Sequence, residues 1–267
     1  MDNGLEVNVV ELEELPVVYL RLVIRSGSAT DPKALPGIAS LTASMLKEGT
    51  KHLNSAKLAE AIEYYGAQFE VGNDADHVYL TMQTLNTHLE PILKLLAEVI
   101  TRPAFNQGEL DKLIRREQAR LDLQNQDPYF LAARQLYRTL YCNHPYAQID
   151  TTTEVLKKVT RTDLTNWHHQ HAIANNAFLV VAGKVNPNAF HALANQAFHS
   201  WRKGDLQKET VSAPTYTHKK QVFVVDRPNS VQSVIYWGNL SLRRGDKNYI
   251  PLAVANQILG GSAASRL

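Results

Sequence analysis

The chain has 267 residues, 44% of them hydrophobic and 20% charged, and a formal net charge of +2. This is the composition of an ordinary globular protein with room for one large domain or two smaller ones; so small a net charge supplies no field to hold nucleic acid or an anionic membrane. Cys142 is the sole cysteine, so no intrachain disulfide can form, and no apolar run approaches the roughly 18 residues that would span a bilayer.

Leu5 to Leu12 alternates apolar and polar, and Val17 to Ile24 is β-branched and apolar. The two predict a hairpin that ends at Ser26-Gly27-Ser28. Asp31-Pro32 and Pro36 introduce the next segment, where Ile38, Leu41 and Met45, with Ala39, Ala43 and Leu46, form a helical stripe stopped by Gly49. Asn54 caps a helix running to about Tyr65 and ended by Gly66. Gln68–Val71 and Val78–Leu85 predict a second strand pair around Gly72-Asn73-Asp74.

A helix follows with Leu89, Ile92, Leu95, Leu96 and Val99, halted by Pro103. A long charged helix starts at Asn106 or Gln107 and buries Leu110, Leu113, Ile114 and Leu121; Asp127-Pro128 breaks it. Another helix covers Tyr129 to Tyr141, and Asn143 to Tyr146 is a loop. Thr151 to Glu154 and Thr160 to Asp163 carry capped helix starts. Phe178–Ala182 is a short apolar strand, and Pro187–Trp201 an amphipathic helix. Val222–Val225 and Val231–Leu240 read as strands, Lys247–Leu259 as a helix, and Gly260-Gly261-Ser262 as a loop.

This order is not the alternation of a doubly wound parallel sheet. It predicts an α+β fold, an antiparallel sheet with helices packed on one face. The predicted divisions are residues 1–202 for this domain, 203–217 for a polar linker, and 218–267 for the start of a second, homologous α+β domain.

Several segments, in order, resemble the insulinase/pitrilysin-type zinc peptidases, the family that includes the mitochondrial processing peptidases. Gly37, Ala39, Met45, Leu46, Gly49 and Thr50 keep the frame of its active-site helix, G-x-A-H-x-x-E-H-M-L-F-K-G-T. Asn3-Gly4-Leu5, Arg102-Pro103-Ala104-Phe105, His144-Pro145-Tyr146, the run Asn175 to Gly183, and Leu259-Gly260-Gly261 with Ser265-Arg266-Leu267 resemble further family segments. The resemblance implies two homologous domains facing each other like a clamshell around a peptide-holding chamber, of which one half and the beginning of the other are present here.

The family's chemistry needs two histidines at i and i+4, a glutamate between them as general base, and a third, glutamate ligand on the long helix. The corresponding residues are Ser40, Ala43 and Ser44, and the third position falls in Gln118-Ala119-Arg120-Leu121, with Ala119 as the degenerate site. Glu117, close by, is expected to point to a different face. Serine hydroxyls bind zinc poorly and alanine accepts no proton, so no catalytic residues, no zinc and no hydrolysis by this chain alone are expected.

His168-His169-Gln170-His171 is the other metal candidate, with His168 and His171 able to share a helix face, but no carboxylate or cysteine clusters with it and structural histidines are expected. Ser40 and Ser44 lack the elbow motif and a base to act as nucleophiles. Gly260, Gly261 and Ser262 are either a substrate-handling loop, as the resemblance implies, or a plain helix-ending turn.

The resemblance implies a non-catalytic, substrate-holding subunit paired with a zinc-bearing peptidase subunit and taking extended peptides, in the periplasm. The alternatives are a structural or assembly subunit of a larger complex, and a stand-alone peptide-binding module working by strand addition.

Overall fold

The computed structural model describes residues 1–205, 212–215, 220–228, 230–262 and 264–266. Five strands form one mixed sheet: β1 (Glu6–Glu11), β2 (Val17–Ile24), β3 (Gln68–Asn73), β4 (Val78–Leu85) and β5 (Ala177–Gly183), in the order β1-β5-β2-β4-β3. Every neighbouring pair is antiparallel except β1 and β5. The expected hairpin of the first two strands is therefore not formed, because β5 lies between them, with Val7 opposite Leu179 and Leu20 opposite Val181. The alternation of β1 specified a strand but not its neighbour. The most continuously apolar strand, β5, takes the interior position, where both edges are paired.

One face of the sheet is buried and the other open. Val18, Leu20, Leu22 and Ile24 of β2, Val78, Leu80 and Met82 of β4, and Leu179 and Val181 of β5 point into the core. Tyr19 and Arg21 point the other way, and the Arg21 guanidinium lies 4.2 Å from the centre of the Tyr79 ring on the open side.

The buried face is covered by α1 (Ile38–Met45), α3 (Leu89–Thr101) and α8 (Pro187–Phe198), which pack on β3 and β4, on β4, and on β1 respectively. Around them lie α2 (Ser55–Tyr64), α4 (Gln107–Gln124), α5 (Pro128–Tyr141), α6 (Thr153–Leu156) and α7 (Arg161–His171). Local chemistry sets their ends. Asn54, Asn106 and Thr152 accept backbone N–H bonds from Lys57, Gly108 and Val155, and Thr160 with Asp163 forms a reciprocal capping box. At the far end Trp201 donates its indole N–H to the Ala172 carbonyl at 3.0 Å, while the Asn3 side-chain amide donates to the Phe198 carbonyl at 2.7 Å. Both ends of this region are thus tied to one core.

Beyond residue 205 the expectation of further strands fails for the described residues. Neither Val222–Val225 nor Val231–Leu240 is paired in a ladder there, and Trp237 is 87% exposed. β-branched composition favours a pleated surface only where a neighbouring strand and a covering layer exist. α9 (Tyr249–Gly260) follows and is exposed along nearly its whole length. Much of the expected linker, 206–211 and 216–217, lies outside the described residues.

Candidate functional site

The helix α1 is started from a distance. Gly37 stands at its N-cap with φ +91°, in left-handed space that an L side chain adopts only under strain. A Cβ there would also lie 2.5 Å from the Thr151 Cβ. The first N–H groups are satisfied by Asp31, whose Oδ2 accepts from Gly37 at 2.7 Å and whose Oδ1 accepts from Ala39 at 3.0 Å. Burial pushes the Asp31 carboxyl up to about 7 against the pull of those donors.

Ile38, Ala39, Leu41, Thr42, Ala43 and Met45 are buried, which leaves Ser40 and Ser44, one turn apart, on the more open stripe of the helix. Among the described residues neither hydroxyl hydrogen-bonds to another group. Ala43 is 2% exposed and packed in the core.

The start of α1 abuts Thr151, and Glu48, just past its end, lies 3.8 Å from Arg116 of α4. The helix therefore runs alongside the second half of α4 and packs on it. On α4 the inward stripe is Leu110, Leu113, Glu117 and Leu121, at intervals of three and four. Ala119 is exposed, about 200° around the helix from Glu117. Glu117 and Ala119 thus stand on different faces of α4, as expected, and Glu117 is the more buried of the two.

Glu117 is already occupied. Arg120 donates from Nε to its Oε2 at 2.6 Å and makes a two-pronged contact with Asp150, Nη2 to Oδ1 at 2.7 Å and Nη1 to Oδ2 at 2.8 Å. The Asp150 and Glu117 carboxylates hold the Arg120 guanidinium more firmly protonated than usual. A catalytic zinc needs three deprotonated nitrogen, sulfur or carboxylate ligands and an open position. Two serines, an alanine and one arginine-bound carboxylate do not fit that ion, and no base stands at residue 43 to take a proton from water.

The histidine cluster is brought together in sequence only. The His168 Nε2 donates to the Ile100 carbonyl at 2.8 Å, and burial lowers this imidazole to about 4. The His171 Nδ1 lies 3.1 Å from the Ser26 Oγ, and burial lowers it to about 4 as well. The Asn176 side chain donates to the same Ser26 Oγ at 3.0 Å and to the His171 carbonyl at 2.9 Å. Sequence reading missed this Ser-His-Asn contact, whose members lie up to 150 residues apart. Ser26 is 3% exposed; a nucleophile buried so deeply has no route to a substrate, and the contact instead pins the end of α7 to the end of β2.

Gly260 ends α9, Gly261 follows with an ordinary φ of −82°, and the Ser262 N–H donates to the Ser265 Oγ at 2.8 Å. Gly260, Gly261 and Ser262 thus form an exposed turn at the end of α9.

The chain matches the family Peptidase M16, Insulinase (Peptidase family M16), over residues 8–153, and Peptidase M16 inactive domain over residues 158–267. It is similar to the non-peptidase homolog YmxG of Helicobacter pylori, 24% identical over 255 residues, which cover 95% of this chain and 58% of that protein. It is also similar to cytochrome b-c1 complex subunit 1, mitochondrial, of Rattus norvegicus, 26% identical across 75% of this chain and 42% of that one. Among solved structures, the peptidase M16 inactive domain from Pseudomonas fluorescens superposes with a TM-score of 0.85 at 29% identity, over 97% of this chain and 63% of that chain. Pitrilysin shares the fold at a TM-score of 0.72 and 20% identity, over 81% of this chain and 24% of that one. The chain thus spans between 42% and 58% of the two curated relatives named.

Proposed function

Because the chain belongs to the insulinase family of peptidases, M16, we propose that it is a catalytically inactive member whose work is to hold peptide for a zinc-bearing family partner. The observation that carries this is the pairing of an intact frame with absent chemistry. Asp31, Gly37 and the packing of α1 on α4 build the active-site helix of the family. Ser40, Ala43 and Ser44 then present no zinc ligand and no base.

The open edge of β3, whose partner β4 lies on one side only, offers unpaired backbone groups for an extended peptide, and α1 packs against this strand. A partner chain supplies the zinc in this reading, in the periplasm.

The experiment is a mixing assay on unfolded peptides. The chain alone releases nothing, a His-Glu-His family member from the same genome is weakly active, and the mixture exceeds the sum in a chelator-sensitive way. Chelator-sensitive cleavage by this chain alone, or no gain on mixing, overturns the proposal. A second reading, an assembly subunit of a larger complex, draws on the likeness to the cytochrome b-c1 subunit; co-purification with a non-peptidase complex, without gain on mixing, selects it.

A further inference from the structure

A second site lies where α4 ends, α5 begins and α6 starts, a cavity of about 250 Å³. Leu121, Phe130 and Ile149 make its apolar wall, and Arg134 and Arg138, one turn apart on α5, supply its charge. That volume is below the roughly 300 Å³ lower end for drug-sized ligands, and suits a body of about one amino-acid residue.

The two guanidiniums are the unusual feature. Like charges four residues apart on a helix oppose each other. Among the described residues neither has a carboxylate within ion-pair distance. Arg134 is held in place by neutral contacts, an Nη1 donation to the Asn125 Oδ1 at 2.9 Å and stacking 5.4 Å from the Phe130 ring centre. Burial and the neighbouring Arg138 charge both disfavour its protonated form. Asp150 favours the charge of Arg134 only in part, being gripped by Arg120, and Glu154 stands fully exposed, its carboxylate turned to the start of α6. Arg134, held in place, and Arg138, at an exposed position, line the same cavity as the apolar wall, and neither forms an ion pair among the described residues. This arrangement is what a planar anion with an apolar body requires.

We propose that this cavity binds a carboxylate carried on an apolar body, the group found at the C-terminal residue of a peptide and in small free carboxylic acids. The carboxylate meets Arg134 and Arg138, and the side chain lies against Leu121, Phe130 and Ile149. The site deepens the peptide-holding role and rests on it only for the peptide as source; binding by the isolated chain tests it without any partner.

The test is calorimetric titration of the full chain with N-acetyl-leucine, N-acetyl-leucinamide, inorganic phosphate and a tripeptide ending in free leucine. N-acetyl-leucine is expected to bind, its amide at least tenfold more weakly, and Arg138→Gln, at an exposed position, to cost at least tenfold while leaving the melting temperature unchanged. A tripeptide that binds as tightly as N-acetyl-leucine supports the site with a peptide end as its ligand. Exclusion of the tripeptide with retention of N-acetyl-leucine supports the site with a free acid as its ligand. Equal binding of acid and amide, phosphate binding as tight as the carboxylates, no binding of N-acetyl-leucine, or an unchanged affinity in Arg138→Gln would each overturn the proposal. None of these outcomes depends on the mixing assay, so the two readings fail separately.

Discussion

His168 should make this protein less stable on acidification. Its ring is buried on the inside of α7 and donates to the Ile100 carbonyl, and burial lowers it from 6.5 to about 4. The folded chain therefore keeps this imidazole neutral at pH values where the unfolded chain has already protonated it. The sign follows from linkage: where the unfolded state binds more protons, stability rises with pH. The His168 contribution is complete above pH 6.5 and disappears as pH falls toward 4, an interval that corresponds to about 3 kcal/mol at roughly 1.4 kcal/mol per pH unit. His171 acts in the same direction but is more accessible, so its share is smaller. Asp31 acts in the opposite direction, since its folded carboxyl at about 7 keeps a proton that the unfolded chain loses near 3.8; its stabilisation is present below pH 4 and lost as pH rises through 7. The Asp31 and His168 contributions, of similar size and opposite sign, largely cancel between pH 6.5 and 4, so the net loss of stability on acidification is the smaller His171 share. The assay is urea unfolding followed by tryptophan fluorescence at half-unit pH steps. His168→Gln, which keeps an N–H for Ile100, should lower the slope of stability against pH by up to about 1.4 kcal/mol per unit, and Asp31→Asn should steepen it. An unchanged slope in His168→Gln, or greater stability at pH 5 than at pH 7, would refute the reasoning.

Three further outcomes are expected. The triple variant Ser40→His, Ala43→Glu, Ser44→His should bind zinc, read as a zinc-dependent rise in melting temperature; adding Glu117→Gln should weaken that binding, whereas adding Ala119→Ser should not. Arg120→Met should cost about 2 kcal/mol in urea unfolding, because it strands the Glu117 and Asp150 side chains, 17% and 15% exposed, beside each other; the cost stays this low because Arg120 itself is 38% exposed and solvent screens its charge. Gly37→Ala should cost more than about 2 kcal/mol, since the new methyl meets Thr151 and the backbone is left-handed; an unaffected midpoint would show that α1 does not need this close approach.

Much of this molecule is local, and what is local was legible. Asn54, Asn106, Thr160 and Asp163 mark helix starts because each side chain bonds a backbone group two or three residues away. The helical spacing of Leu110, Leu113, Ile114 and Leu121 marked α4 as a helix, and Asp127-Pro128 marked its end. The ordered segments from Asn3 to Gly183 gave the family, and Ser40, Ala43 and Ser44 gave the loss of its metal chemistry, since ligand type is a property of the residue itself.

What only the tertiary structure decided are the relations between distant residues. Alternation in β1 and β2 cannot say that β5 comes between them, because any strand with the right face can pair. The family resemblance put the degenerate ligand position at Ala119, while only the packed structure shows that Ala119 is exposed and Glu117 partly buried. The histidines of α7 read as a cluster but bond separately, to Ile100 and to Ser26, since a helix fixes where a ring starts and packing fixes what it meets. The paired arginines of α5 passed unremarked in the sequence, where they are two charges on one helix. Only the fold closes a cavity around them while binding the adjacent Asp150 to Arg120. Local bonding and residue chemistry are written along the chain, whereas burial and electrostatic pairing arise only once its separated parts are packed together.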